Sequence, residues 1–210
     1  RGERCGIEVP GVHRACHRDW RATAGDRSIV INGGWHDAGD LSQGIMNTAE
    51  SVRAMVHAAE THAARGGDPR IVGELLAEAR WGLDWVMKTS FGDGYRLSWS
   101  TLGPWTDGII GTNDDVTTPA RRSARASFVA AMAEAAAARA LAGRDPVLSA
   151  DARRRAEEDW RFGLDETLAQ VGQHIDQIDW MVFPSDQPSD LSQRLEARDM
   201  PGGKGGNWLW

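Results

Sequence analysis

Four stretches of helical periodicity, each with its own start or stop signal, constrain this chain more than anything else in it. Apolar residues Ile45, Met46, Val52, Met55, Val56 and Ala59 recur at helical spacing, predicting a helix from Leu41 or Ser42 to Ala64. Gly66-Gly67 ends that run, and Asp68-Pro69 opens the next with a cap residue and a proline at the first helical position. The second helix, Pro69 to Lys88, turns Ile71, Leu75, Leu76, Ala79, Leu83 and Val86 inward. A third runs from Pro119 to Leu141 with small residues through Ala130–Ala138, and Asp145-Pro146 opens a fourth that reaches Gln170. Two helical hairpins of this kind suggest an all-α toroid or solenoid. A plain bundle is the simpler alternative, but bundles rarely need a connection like Thr89–Thr118, about thirty residues rich in Gly and carrying Trp99 and Trp105.

The rest is less regular. Residues 1–40 are loop-rich, with one short buried strand at Ser28–Ile31 stopped by Asn32-Gly33-Gly34. After Val171 the pattern fades among prolines and glycines, and residues 171–210 read as loop. The chain closes on Asn207-Trp208-Leu209-Trp210, which suggests a piece of a longer protein.

Composition removes several function classes. A net charge of −6 argues against a nucleic-acid partner. The clusters Arg121, Arg122, Arg125 and Arg153, Arg154, Arg155 read as solvated helix faces. No apolar run approaches the ~20 residues of a membrane span. Ten tryptophans are too many for a core alone, so some should line a site; Trp81, Trp85 and Trp160 read as core. Nucleotide-binding, zincin and serine-hydrolase motifs are all missing.

Three constellations carry chemistry. In Gly33-Gly34-Trp35-His36-Asp37-Ala38-Gly39-Asp40, two carboxylates three residues apart can face one side of a tight turn, one taking a proton from water while the other holds it. The bland reading is a turn whose aspartates bond their own backbone and cap the following helix. Cys5, Cys16, His17 and His36 make the Cys2His2 set that tetrahedral zinc prefers, with His13 a competing ligand. A Cys5–Cys16 disulfide or free thiols remain open on the same residues. Trp99 and Trp105, with Asp107, Asp114 and Asp115, offer stacking faces for sugar rings and acceptors for hydroxyls; the same Asp-rich loop could take calcium or merely cap the third helix.

The octet at 33–40 resembles the GGW[HY]DAGD signature of glycoside hydrolase family 9, the inverting cellulases and their relatives. Cys5-Gly6 with His13-Arg14-Ala15-Cys16-His17 resembles the segment that precedes the signature in one branch, and Trp81-Gly82-Leu83-Asp84-Trp85 resembles a second-helix pattern. The likeness covers about residues 4–165.

The resemblance implies an (α/α)6 toroid built of helical hairpins, with residues 1–210 as the N-terminal part of one catalytic domain. It implies Asp40 as general base and Asp37 as the residue that helps hold the water. It assigns Cys5, Cys16, His17 and His36 to a structural zinc, closed to substrate because four protein ligands fill it. Trp35 and Trp105 become the candidate sugar contacts. The substrate would be a β-linked glucan-type polysaccharide or oligosaccharide, and the location secreted or periplasmic. The family's general acid is a glutamate near the end of the domain, beyond this chain, so the chain alone should not turn over. Leu41-Ser42-Gln43-Gly44 departs from the Tyr-Gly pair of familiar cellulases, which leaves cellulose itself open. The rivals are a non-catalytic carbohydrate-binding toroid and a polysaccharide lyase on the same fold. A lyase wants Tyr, His or Arg as its base, and the chain holds a lone tyrosine, Tyr95.

Overall fold

The computed structural model describes residues 19–36, 42–100 and 109–173. These hold four helices: α1 (Ile45–Ala64), α2 (Pro69–Lys88), α3 (Ala124–Leu141) and α4 (Pro146–Gln173). Helices α1 and α2 form one antiparallel hairpin, α3 and α4 a second, and α1 also packs along α3. The all-α expectation of paired helical hairpins therefore holds, with short strands added in the connections.

The starts differ from the sequence reading for physical reasons. Helix α1 begins at Ile45 because Gly44 is extended and the Ile45 amide donates to the Ser98 carbonyl at 3.0 Å, a strand-like pairing that forbids an earlier turn. Helix α2 matches its predicted bounds, with Asp68 accepting from the Arg70 amide at 2.8 Å. Helix α3 begins at Ala124, not Pro119, because Ser123 supplies the cap and accepts from Ala126 at 3.2 Å. The aspartates at 114 and 115 therefore do not cap it. In α4, Asp145 caps as expected, accepting from Leu148 at 3.0 Å.

The stretch before α3 is strand. β1 (Trp20–Ala24) pairs antiparallel with β2 (Arg27–Val30) and parallel with β5 (Val116–Pro119). Inside the long loop, β3 (Ser90–Gly92) and β4 (Tyr95–Arg96) make a second small sheet with β6 (Arg121–Arg122), which lies just before α3. β2 is less buried than predicted; the buried residue is Ile31, just after it.

The core runs between the helices through Val52, Val56, Leu76, Leu83, Val86 and the alanines of α3. Small side chains on α3, with Ala130 and Ala133 fully buried, let neighbouring helices approach closely. Two expectations fail on burial, and one on the element that carries it. Ile71 is exposed and Val72 takes its inward place, one residue round the first turn of α2. Trp160 is 56% exposed on α4, its indole set edge-on to Phe128 with ring centres 5.0 Å apart. Arg121 and Arg122 are exposed as expected but lie on a strand instead of a helix, Arg122 over the Phe162 ring at 4.9 Å. The second arginine cluster is as read: Arg153, Arg154 and Arg155 pair with Asp151, Glu157 and Glu158 on the surface of α4. Among the described residues no helix is long and apolar enough to cross a membrane.

Candidate active site

Helix α2 spends one whole face on the chain that leads into the octet. Glu78, Trp81, Trp85 and Lys88 are spaced three, four and three residues apart, which puts them on one side of the helix. Trp85 Nε1 donates to the Ile31 carbonyl at 3.0 Å, and Lys88 Nζ to the Asn32 side-chain oxygen at 2.8 Å and to its carbonyl. Trp81 Nε1 donates to the Gly34 carbonyl at 2.9 Å, and Glu78 accepts from Trp35 Nε1 at 3.1 Å. Residues 31–35 thus run antiparallel to α2, fixed by side-chain bonds from it.

Two glycines make this close approach possible. Gly34 has φ +65°, and a Cβ there would come within 2.8 Å of the Trp85 indole. Gly82, on α2, leaves the space in which the Trp35 ring rests; a Cβ would collide with it. Trp85 is buried as predicted, whereas Trp81 is only half-buried, its indole N–H committed to the turn.

The other flank is held as firmly. The Gln43 amide donates to Ser100 Oγ at 2.7 Å, the Ser100 amide donates to the Gln43 carbonyl at 2.8 Å, and Trp99 packs across Gly44 while remaining 39% exposed. The Gln43 side chain then crosses to the first flank, Nε2 donating to the Gly33 carbonyl.

Of the residues singled out in the sequence, Trp35 and His36 are described, both half-buried. Asp37, Asp40, Trp105, Cys5, Cys16 and His17 lie outside the described residues. Sequence reasoning did not find Glu78, Lys88, Gln43 or Ser100. The spacing of Glu78, Trp81, Trp85 and Lys88 was visible, but nothing in the sequence says which backbone carbonyls they meet.

Two further polar groups stand apart. Carboxylate oxygens of Asp19, Asp114 and Asp115 lie within 4.8 Å of one another, beside the point where β5 joins β1. Asp115 Oδ2 accepts from the Gly111 amide at 2.9 Å and Asp114 from the Thr112 hydroxyl at 2.7 Å, while Asp115 Oδ1 is buried without a hydrogen-bond partner. An all-oxygen, negatively charged set of this kind suits a hard cation such as calcium.

The second group is a buried ionic cluster. Arg96 on β4 donates to the Val86 carbonyl and to Asp159 on α4, and its guanidinium lies 3.6 Å from Glu134 on α3. Burial, reinforced by the Asp159 charge, pushes the Glu134 carboxyl up to about 7, against the pull of Arg96. It joins β4, α2, α3 and α4, and no sequence signal marked it.

The model of glycosyl hydrolase family 9 matches residues 1–188, and the chain belongs to that family. A metagenome-derived family 9 endoglucanase shares 28% identity at a TM-score of 0.58, covering 77% of this chain and 33% of its own. A single mutant of the thermostable endoglucanase from Alicyclobacillus acidocaldarius shares 25% identity at TM-score 0.54, covering 75% of this chain and 34% of its own. A Zn-binding triple mutant of the family 9 endoglucanase J30, 23% identical at TM-score 0.56, covers 90% of this chain and 40% of its own and shares the fold. The chain therefore spans between a third and two fifths of these proteins' length, and its hairpins form part of an (α/α)6 toroid. Comparison with curated proteins gives no match.

Proposed function

We propose that this chain is the N-terminal part of one family 9 catalytic domain that hydrolyses a β-linked glucan with inversion. The observation that carries the reading is the family match across 1–188, which contains Gly33–Asp40, together with the double anchoring of that octet's flanks. Asp40 takes the proton from a water held with the help of Asp37, and the water attacks the anomeric carbon. The glycosidic oxygen leaves with a proton from a carboxylic acid supplied by the rest of the domain. Inverting hydrolysis needs the two carboxyl groups about 6.5–9.5 Å apart so that water fits between base and sugar. The chain by itself is then inactive. Trp35 and Trp105 would contact sugar, and a polymeric glucan substrate fits a secreted or periplasmic enzyme.

The donor set Cys5, Cys16, His17 and His36 fits zinc by its chemistry: soft sulfur and imidazole ligands with no carboxylate. His36 adjoins Trp35, which α2 holds through Glu78, so a metal there would staple the N-terminal segment to an already fixed point. The Asp19, Asp114 and Asp115 oxygens fit calcium in the same sense.

Two experiments test this. In the complete enzyme, Asp40→Asn lowers kcat on a soluble cellooligosaccharide by about 10²–10⁴-fold, the span of a general base, and the wild-type product appears as the α-anomer by NMR. Retention of the wild-type rate, or a β-anomeric product, overturns the mechanism. Metal analysis should find one zinc per chain, with chelation lowering the thermal midpoint; absence of zinc with two free thiols removes the Cys2His2 site.

A further inference from the structure

We propose that the open groove between α3 and α4 is the seat of the chain that continues from α4, residues 174–210. The inference stands apart from the catalytic reading above. The groove has a volume of about 670 Å³, and its floor is small: Ala131, Ala135 and Ala138 on α3 and Ala156 on α4. Met132 and Trp160 line it as well, yet they are 40% and 56% exposed. Small side chains on two neighbouring helices leave the space into which the ridge of a third element fits. From Trp160 the apolar surface continues along α4 through Leu164 and Leu168, each four residues further on and both exposed. Contiguous exposed apolar surface of this kind marks a face that another element covers.

Continuity, charge and reach name that element. The strip Trp160, Leu164, Leu168 leads from the groove towards the end of α4 at Gln173, where residues 174–210 follow. Those residues bring apolar groups of their own in Ile175, Ile178, Trp180, Met181, Val182 and Phe183. Along the groove three arginines, Arg53 beside Met132, Arg139 and Arg153, stand against two acids, Glu60 and Glu157. Residues 174–193 carry four aspartates and no lysine or arginine, so the excess of positive charge meets an acidic segment. Ser149, at the far end of the groove, lies about 36 Å back along α4 from Gln173, a span that about 11 extended or about 24 helical residues cover. The rest of the domain and a second copy of the chain are the competing occupants, and neither begins where the apolar strip ends.

Two measurements on the complete protein test this. Hydroxyl-radical footprinting of the wild type needs no substitution and reads whether the groove is covered. With Met132 and Trp160 40% and 56% exposed, an open groove lets them oxidise only about twofold more slowly than in the urea-unfolded chain, whereas a covered one slows them at least about tenfold. The second measurement reads what covers it. The photo-cross-linking residue p-benzoylphenylalanine in place of Trp160, an aromatic group of similar bulk, should on irradiation join to a peptide from residues 174–210 of the same molecule. The same residue in place of Met132 serves if the first variant does not fold. Fast oxidation of both side chains overturns the proposal, because the groove is then open. So does a cross-link to another part of the domain or to a second molecule, and so does the lack of any cross-link to 174–210.

Discussion

The run at 31–35 and the α3–α4 hairpin are built by opposite means. Around the run, nearly every contact is directional: three indole or amide N–H groups and one ammonium aim at the carbonyls of Ile31, Asn32, Gly33 and Gly34. Between α3 and its neighbours the contacts are non-directional. Alanine after alanine is buried, and close approach does the rest. Charge is added there by the Arg96, Glu134 and Asp159 cluster and by Arg139 on α3, which binds both carboxylate oxygens of Glu60 on α1. The contrast follows from what each region must deliver. Packed alanines fix how near two helices lie but tolerate small slides, whereas bonds to successive carbonyls fix a backbone path atom by atom. Under the proposed function, the run that leads into Asp37 and Asp40 needs the second kind of order.

That contrast predicts which damage stays local. The largest expected effect is from Arg96→Met, which leaves Asp159 and Glu134 buried without their cation and should cost about 3–5 kcal/mol at pH 8. Urea unfolding of the complete enzyme reads the cost. The fraction that remains folded should keep the wild-type kcat, and a fall in kcat beyond the folded fraction would break the separation of the two regions. Gly34→Ala should do the reverse. With φ at +65° and the Trp85 ring 2.8 Å from the new methyl, it should cost about 2–4 kcal/mol and also depress kcat in the folded fraction. Unchanged kcat with lowered stability would show that the turn tolerates a shifted backbone.

How much of this was legible beforehand depended on the range of the forces involved. Helix α2 was read to its ends because Asp68, Pro69 and the apolar period all act within the helix. The start of α1 was misplaced because Gly44 answers to Ser98 and Trp99, more than fifty residues away. Trp160 was read as core because its type suggests burial, but its place on α4 is set by which face meets Phe128. The candidate carboxylates and zinc ligands were visible as residue types in a recognisable pattern. Their supports were not: Gln43 reads as an ordinary polar residue until the Gly33 carbonyl stands opposite it. Arg96 likewise looks like one of many surface arginines, yet it is 1% exposed between two acids on different helices.

The smallest predicted effect separates the regions by pH. Burial raises the Glu134 carboxyl in the folded state to about 7 from an ordinary 4.5. Between those values the folded chain binds a proton that the unfolded chain has released, so the unfolded state binds fewer protons and stability falls as pH rises through the window. Below about pH 4.5 both states are protonated, and above about pH 7 both are ionised, so the contribution is flat outside it. Glu134→Gln holds a neutral side chain of the same shape and should remove this dependence, leaving the variant more stable than wild type at pH 8 by roughly 1–3 kcal/mol. Unfolding midpoints for both proteins at pH 5, 6, 7 and 8 test it. Parallel curves would mean that Glu134 is ionised throughout, held so by Arg96, and that the cluster is an ordinary ion pair. Converging curves towards pH 5 would show that α3 and α4 are joined by a proton as well as by packing. Glu134 is not among the groups that hold the run at 31–35, which are Glu78, Trp81, Trp85, Lys88 and Gln43, so kcat corrected for folded fraction should respond identically to pH in wild type and Glu134→Gln.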